Sequence, residues 1–496
     1  MIQVICKSEA YTYNVYHIIK AFFPSEETTV KTEEEASHYI SVTLPDAGRI
    51  VIGKEQVEEA VRYSGEDMER GQSSVAHIKY WIDICLYREF EKLTGQSLAW
   101  GILTGVRPTK IAMQKLEKGW ERERFIPWFE KKFQVSRQKA QLSFEIAGRE
   151  RALLQKLDCE KGYSLYVGIP FCPSVCTYCS FSSGEIGAFK DRVWDYLGAL
   201  QKELAFLGNA YARRKLNTIY IGGGTPTTLT ADQLESLLAC IDRCFSREFL
   251  LEYTVEAGRP DSITQEKLQV LKKHGITRIS INPQSMQQKT LDVIGRRHSV
   301  EAIVDAYKMA RKMGFDNINM DLIAGLPGEA AADMADTLRQ LRELGPDSLT
   351  VHSLAIKRAA KMGFGDLEGN TGEISRVLSD MIALAQEGAC QMGLSPYYLY
   401  RQKNIAGNFE NVGYAKEDKA GIYNVLIMEE KQTILAAGAG ASTKLVLKEP
   451  VPMPGSKKGK MTQLLRSENV KEVAQYIERV DEMIERKRKM WNLDEF

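Results

Sequence analysis

Several shortages narrow what this chain can be. Its 496 residues contain no run of about 18 consecutive apolar residues, so no segment is expected to span a membrane. Neither charge is in excess: 66 Lys and Arg face 65 Asp and Glu, a net charge of +1. That leaves no basic field for nucleic acid. The opening stretch, Met1-Ile-Gln-Val-Ile-Cys6, has no basic region followed by an apolar run, so no secretory signal is expected and a cytoplasmic location is. Only six histidines occur, the last of them His352. Cysteines number nine, an odd count thinly spread outside one cluster, which is poor material for a disulfide framework. No low-complexity tract and no long-period repeat appears.

What is present divides into three parts, as expected for a chain too long for one compact core. Residues 1–150 read as an N-terminal α+β domain of unassigned role. Short apolar strands near Ile2–Cys6 and Tyr39–Leu44 precede segments with helical spacing, such as Val75–Tyr87. Residues 160–372 alternate strand and helix. Strand-like runs lie at Tyr166–Ile169, Thr218–Ile221, Tyr253–Val255, Arg278–Ile281, Ile318–Ile323 and Leu349–Val351, with amphipathic segments between them. Thr230-Ala-Asp-Gln233 is a capping box that opens one helix. Six such units imply a parallel sheet with right-handed crossovers, curved and open because eight are needed to close a barrel. Residues 373–496 read as a C-terminal helical and irregular domain covering the substrate side. It holds a long helix from Glu373, an aromatic and basic stretch at Tyr397–Lys403, small residues at Gly438–Ser442, an exposed loop at Ser456–Lys460 and a charged closing helix.

The chemistry centres on Cys172, Cys176 and Cys179, spaced C-x3-C-x2-C directly after the first strand. A partial zinc site with a distant fourth ligand is one reading. Structural zinc sites usually draw on two separated ligand pairs, and no second pair exists here. Three thiolates in eight residues better suit a [4Fe-4S] cluster that keeps one iron open. Cys240 and Cys244, four apart on an amphipathic helix, read as packing residues, and Cys6, Cys85, Cys159 and Cys390 as structural. In parallel α/β sheets ligands lie at the carboxyl ends of the strands, so the cysteine loop falls on that rim.

These residues carry a resemblance. The C-x3-C-x2-C loop, with Tyr178 before its third cysteine and Tyr166 and Ile-Pro-Phe-Cys172 leading into it, resembles the radical S-adenosylmethionine (SAM) enzymes. Within them it is similar to the oxygen-independent coproporphyrinogen III oxidases and their relatives. The Gly105-Val-Arg-Pro-Thr-Lys110 loop and the Leu399–Asn404 and Asn411–Lys416 segments resemble the HemZ-type branch, bacterial coproporphyrinogen dehydrogenases. The resemblance implies a radical SAM partial (β/α)6 barrel, one [4Fe-4S] cluster on the three cysteines and SAM on the open iron. It places Gly223, Gly224 and Thr225 of Gly222-Gly-Gly-Thr-Pro226 at the methionyl amine, with Glu256 available to the ammonium. Arg296 would face the carboxylate, Asp321 the ribose hydroxyls and Ala355 the adenine. Gln284 joins this strand-end set, and Tyr166 and Tyr178 border cluster and SAM. His298 and His352 receive no role.

The implied reaction uses a 5′-deoxyadenosyl radical to convert coproporphyrinogen III propionates to vinyls, giving protoporphyrinogen IX. It implies a low-potential electron donor of flavodoxin or ferredoxin type and an electron acceptor. Arg107, Lys110, Arg401 and Lys403 are candidates for holding the other propionates. Two departures bear on the substrate: Phe181 stands where the best-studied oxidases carry a fourth cysteine, and Gly168 where histidine is usual. Phe181 is shared with relatives that are heme chaperones, so that alternative stands beside the oxidase, as does another radical SAM reaction on a tetrapyrrole. The chaperone reading expects a C-terminal histidine motif, and the matching stretch Gly421–Met428 has none.

Overall fold

The computed structural model describes residues 1–45, 47–64, 74–105, 107–180, 183–355, 360–363, 371–402, 408–454 and 460–491. Phe181, Lys403 and residues 456–459 of the expected exposed loop lie outside these. The N-terminal region folds as a four-stranded mixed sheet with helices packed on it. Its strands are β1 (Ile2–Cys6), β2 (Thr28–Thr32), β3 (Ile40–Leu44) and β4 (Gly48–Ile52), ordered β2-β1-β3-β4. Alternation places Ile2, Val4, Cys6, Ile40 and Val42 on one face, where they are buried with Trp81, Leu86 and Phe90 of the helix Ser74–Thr94. Three further helices, Thr109–Glu117, Arg122–Phe133 and Arg137–Leu154, place Ala112, Phe125, Phe129 and Ile146 in a second core, shared with the main sheet.

That main sheet has eleven strands. Six are parallel in sequence order: β5 (Gly162–Ile169), β8 (Lys215–Gly223), β9 (Glu252–Gly258), β10 (Arg278–Ile281), β11 (Ile318–Ala324) and β12 (Ser348–Ser353). Between β5 and β8 a two-residue pair, β6 (Phe171–Cys172) and β7 (Gly184–Glu185), brackets the cysteine loop. All six expected strands form, β10 with its expected bounds and the others longer by one to five residues, and the capping box of Thr230 and Gln233 is present. The sheet stays open, so the fold is the partial barrel the alternation implied.

Where the sequence suggested an irregular tail, five more strands extend the sheet at both edges. β13 (Ser395–Arg401) and β14 (Glu410–Ala415) pair antiparallel beyond β12. The chain then crosses back, and β15 (Thr433–Ala437) pairs parallel with β5, followed by β16 (Ser442–Pro452) and β17 (Met461–Glu468). The crossing carries the helix Ile422–Glu429, which is anchored at both ends. The Ile422 N–H donates to the buried Glu252 carboxylate, and Arg107 donates to the Met428 carbonyl while pairing with Glu430 at 2.7 Å. A cation is favourable at that terminus, where the last carbonyls are unsatisfied.

The barrel strands send apolar side chains outward and polar ones inward. Leu165, Val167, Ile219, Val255, Ile279, Ile281 and Leu322 belong to the core under the helices. Tyr166, Tyr220, Glu256, Ser280, Asp321 and Thr350 instead line a central cavity.

Candidate active site

The cysteine loop is bound on three sides by backbone. Gly224 N–H donates to the Ile169 carbonyl and Thr225 N–H to the Phe171 carbonyl, both at 2.7 Å. Thr177 N–H donates to Ile294 at 3.1 Å and Ser174 Oγ to Gly295 at 3.3 Å. Position 224 requires glycine, since a Cβ there would stand 2.4 Å from the Phe171 carbonyl oxygen.

Cys172, Cys176 and Cys179 all line one cavity of about 450 Å³ at the carboxyl ends of the barrel strands. None of the nine cysteines is in a disulfide. Among the described residues, no three His, Cys, Asp or Glu side chains converge tightly enough to grip one ion. Hydrogen-bond donors face the sulfurs. Thr225 Oγ1 lies 3.7 Å from Cys172 Sγ, and Arg259 Nη1 lies 4.0 Å from Cys176 Sγ. The residues present fit a [4Fe-4S] cluster.

The other strand-end residues meet at the same cavity: Tyr166, Tyr178, Gly223, Gly224, Thr225, Glu256, Gln284, Arg296, Asp321 and Ala355 all line it. Glu256 accepts from Tyr220 Oη at 2.5 Å and from Gly223 N–H at 3.3 Å. Burial pushes its carboxyl up to about 7, against the Tyr220 hydrogen bond. Burial also acts on Asp321, but hydrogen bonds from His352, Asn319 and Thr350 more than offset it and hold that carboxyl below its ordinary value. Gln284 has φ 68°, a left-handed backbone rare outside glycine. Its backbone bridges to β11, with N–H to the Asp321 carbonyl at 2.9 Å and carbonyl to the Ile323 N–H at 2.9 Å, while its Oε1 has no partner. Arg296 donates to the Asn282 carbonyl at 2.5 Å and lies 3.5 Å from Tyr178 Oη, with its buried Nε unpartnered. Orphaned buried polar atoms aimed into a cavity mark a polar ligand's seat.

Of the two histidines given no role, His352 lies in the cavity wall, with Nδ1 3.2 Å from Tyr400 Oη and Nε2 3.8 Å from Asp321. His298 is buried with neither ring nitrogen hydrogen-bonded, and burial lowers its pKa to about 4. Cys240 and Cys244 pack together, sulfurs 3.9 Å apart.

Two of the proposed propionate-holding cations are corrected. Arg107 is spent on the Met428 carbonyl and Glu430. Arg401 is buried, donating to the Leu103 carbonyl at 2.6 Å, and does not line the cavity. Among the described residues, the arginines that do are Arg259, Arg278 and Arg296. Sequence reasoning missed the first two. Arg278 opens a strand on its inward-facing alternation, which was the available signal. Nothing local marked Arg259. Also missed was the C-terminal wall: Tyr398 and Tyr400 on β13, and Tyr423, whose ring stacks 4.5 Å from that of Tyr220. A Cβ at Gly168 would meet only ordinary contacts, the nearest the Ala437 carbonyl at 3.4 Å, whereas one on Gly438 (φ 105°) would stand 2.5 Å from the Gly168 carbonyl.

An open parallel barrel, a three-cysteine loop after its first strand and polar residues at successive strand ends define a radical SAM protein, and residues 166–341 match the Radical SAM superfamily model. The chain belongs to the oxygen-independent coproporphyrinogen-III oxidase-like HemZ family: it is 39% identical over 443 residues to the Bacillus subtilis (strain 168) protein of that description, covering 87% of each. It is also 36% identical over 195 residues to the heme chaperone HemW of the same organism, about half that protein's length (51%). In fold it resembles the coproporphyrinogen III oxidase HemN of Escherichia coli. The TM-score is 0.51 at 24% identity, covering 67% of this chain and 73% of that one. Among the described residues no helix is long and apolar enough to cross a membrane.

Proposed function

We propose that this protein decarboxylates propionate side chains of coproporphyrinogen III to vinyls without oxygen, forming protoporphyrinogen IX. The observation that carries the reading is the shared cavity: three thiols and a full series of strand-end polar groups open onto one space inside the barrel. When bound, the cluster and SAM would supply the abstraction of one hydrogen atom from a propionate β-carbon. The propionate then loses carbon dioxide, and an acceptor removes the remaining electron.

The chain's residues bind, orient and exclude water. Cys172, Cys176 and Cys179 would hold the cluster. Glu256, ionised, pairs with the methionyl ammonium beside the Gly223–Thr225 backbone, and the Arg296 fork matches the carboxylate. Asp321, kept ionised by its donors, accepts from the ribose hydroxyls, while Gln284 and Ala355 complete the nucleoside pocket. Tyr166 and Tyr178 wall the cluster from solvent, keeping the reactive centre dry. Arg278 takes over the role first given to Arg107 and Arg401. It is buried, faces the lumen and has an unpartnered Nε, so it offers a donor to a propionate carboxylate. A low-potential donor of flavodoxin or ferredoxin type and a separate electron acceptor complete the reaction.

The test is anaerobic. Reconstituted protein with SAM, reductant and coproporphyrinogen III should yield 5′-deoxyadenosine together with protoporphyrinogen. SAM cleavage without decarboxylation would sink the oxidase reading. Stoichiometric heme binding in the same preparation would favour the chaperone.

A further inference from the structure

Arg259 lies just past the end of β9, buried to 3% exposure, and its guanidinium is shared between Asp261 and the cysteine loop. Nε and Nη2 grip Asp261 at 3.0 and 2.8 Å. That geometry turns Nη1 toward the cysteine loop, where it donates to Ser174 Oγ at 2.7 Å and the Ser174 carbonyl at 3.1 Å and lies 4.0 Å from Cys176 Sγ. Cys176 is itself only 8% exposed. A buried guanidinium is costly unless compensated. Asp261 compensates it on one side, and a neutral thiol on the other would gain little from so strong a donor. Ionised sulfur gains much, because charge-assisted hydrogen bonds strengthen away from water.

We propose that Arg259 is a positioning residue that sets the reduction potential of the cluster. It presents a fixed cation and donor to Cys176, with Asp261 setting how much of that charge is felt. The potential of an iron–sulfur cluster rises with nearby positive charge and with hydrogen bonds to its sulfurs. The two residues therefore act with opposite sign: removing Arg259 lowers the potential, and removing the Asp261 charge raises it. A strut that merely held the loop would not produce opposite shifts.

The inference rests on the reading that the three cysteines hold a cluster. Its test is a spectroscopic redox titration of the reconstituted full-length protein and of the R259Q, R259K and D261N variants, with iron content measured for each. The expected result is a lower midpoint for R259Q, a higher one for D261N and an intermediate one for R259K. R259Q should change the ratio of reduced to oxidised cluster at fixed poise about tenfold, about 59 mV for one electron. Shifts of the same sign in R259Q and D261N, or none with iron content intact, would overturn the role of Arg259. If R259Q fails to retain its cluster, D261N decides alone: a rise supports the proposal and an unmoved potential overturns it. Wild-type protein that takes up no cluster would overturn the underlying reading instead.

Discussion

The N-terminal sheet and the barrel sheet both turn an apolar face to their helices, and they differ in what the other face carries. In the first, the helix-facing side chains Ile2, Val4, Cys6, Ile40 and Val42 close into an apolar core. In the second, the apolar side chains face outward under the helices, and the inward rows carry Tyr166, Tyr220, Glu256, Arg278 and Asp321. The barrel is thus stabilised from outside, and its interior is free to hold titratable groups around a cavity. The N-terminal sheet has given its inner face to packing. A proposed site in one sheet and a packed core alone in the other make a contrast that can be tested.

The largest contrast comes from the cysteines. Replacing Cys172, Cys176 or Cys179 by Ala should abolish iron–sulfur uptake and SAM cleavage while leaving the thermal transition of the metal-free protein in place. Iron analysis and 5′-deoxyadenosine release check this. Replacing Phe90 by Ala should do the reverse. Truncating this fully buried ring costs about 3–5 kcal/mol, read by denaturant unfolding, with unchanged iron content per folded molecule.

A third test uses one buried carboxyl in each region. Burial pushes Asp83, in the N-terminal helix Ser74–Thr94, and Glu256, in the barrel, each up to about 7. The folded chain keeps both protons where the unfolded chain has lost them. Without SAM, stability therefore falls as pH rises through the window from the ordinary carboxyl range to about 7, and flattens above it. At about 1.4 kcal/mol per pKa unit, Asp83 accounts for about 4 kcal/mol and Glu256 for about 3 kcal/mol. D83N and E256Q should each flatten this profile in urea titrations. Only E256Q should also weaken SAM binding, about tenfold to a hundredfold, since a hydrogen bond to a charged group contributes about 1.5–3 kcal/mol. Wild-type SAM affinity should rise through pH 7 as Glu256 ionises, and calorimetry at pH 6 and 8 would show it. Equal SAM affinity in E256Q would break the comparison.

The smallest effect concerns the crossing helix. Arg107→Ala removes a partly exposed ion pair and a helix-terminal cation, about 1 kcal/mol. A modest fall in Tm with unaltered propionate turnover is expected, because Arg107 faces Glu430 and not the cavity.

Much of the barrel was legible in the sequence, for local reasons. A β-branched run between turn residues makes a strand wherever it lies, and Thr230 with Gln233 caps a helix through bonds three residues apart. The cysteine loop was legible from its spacing, and the strand-end series through the family resemblance that its motifs carry. Arg259 and the correction of Arg107 were not. Arg107 meets Glu430 across 323 residues of chain, Trp100 meets Glu410 across 310, and Arg259 meets Ser174 across 85.

By itself, then, the sequence determined the open six-strand barrel and the C-x3-C-x2-C loop, because these follow from alternation, spacing and turn chemistry, and it pointed to the polar groups around the loop through resemblance to a known family. Tertiary structure alone decided which cations reach the site, that the C-terminal strands flank both barrel edges, and that Tyr398, Tyr400 and Tyr423 line the cavity. Those choices depend on long-range pairing, where one guanidinium can satisfy only the acceptors that folding brings within reach.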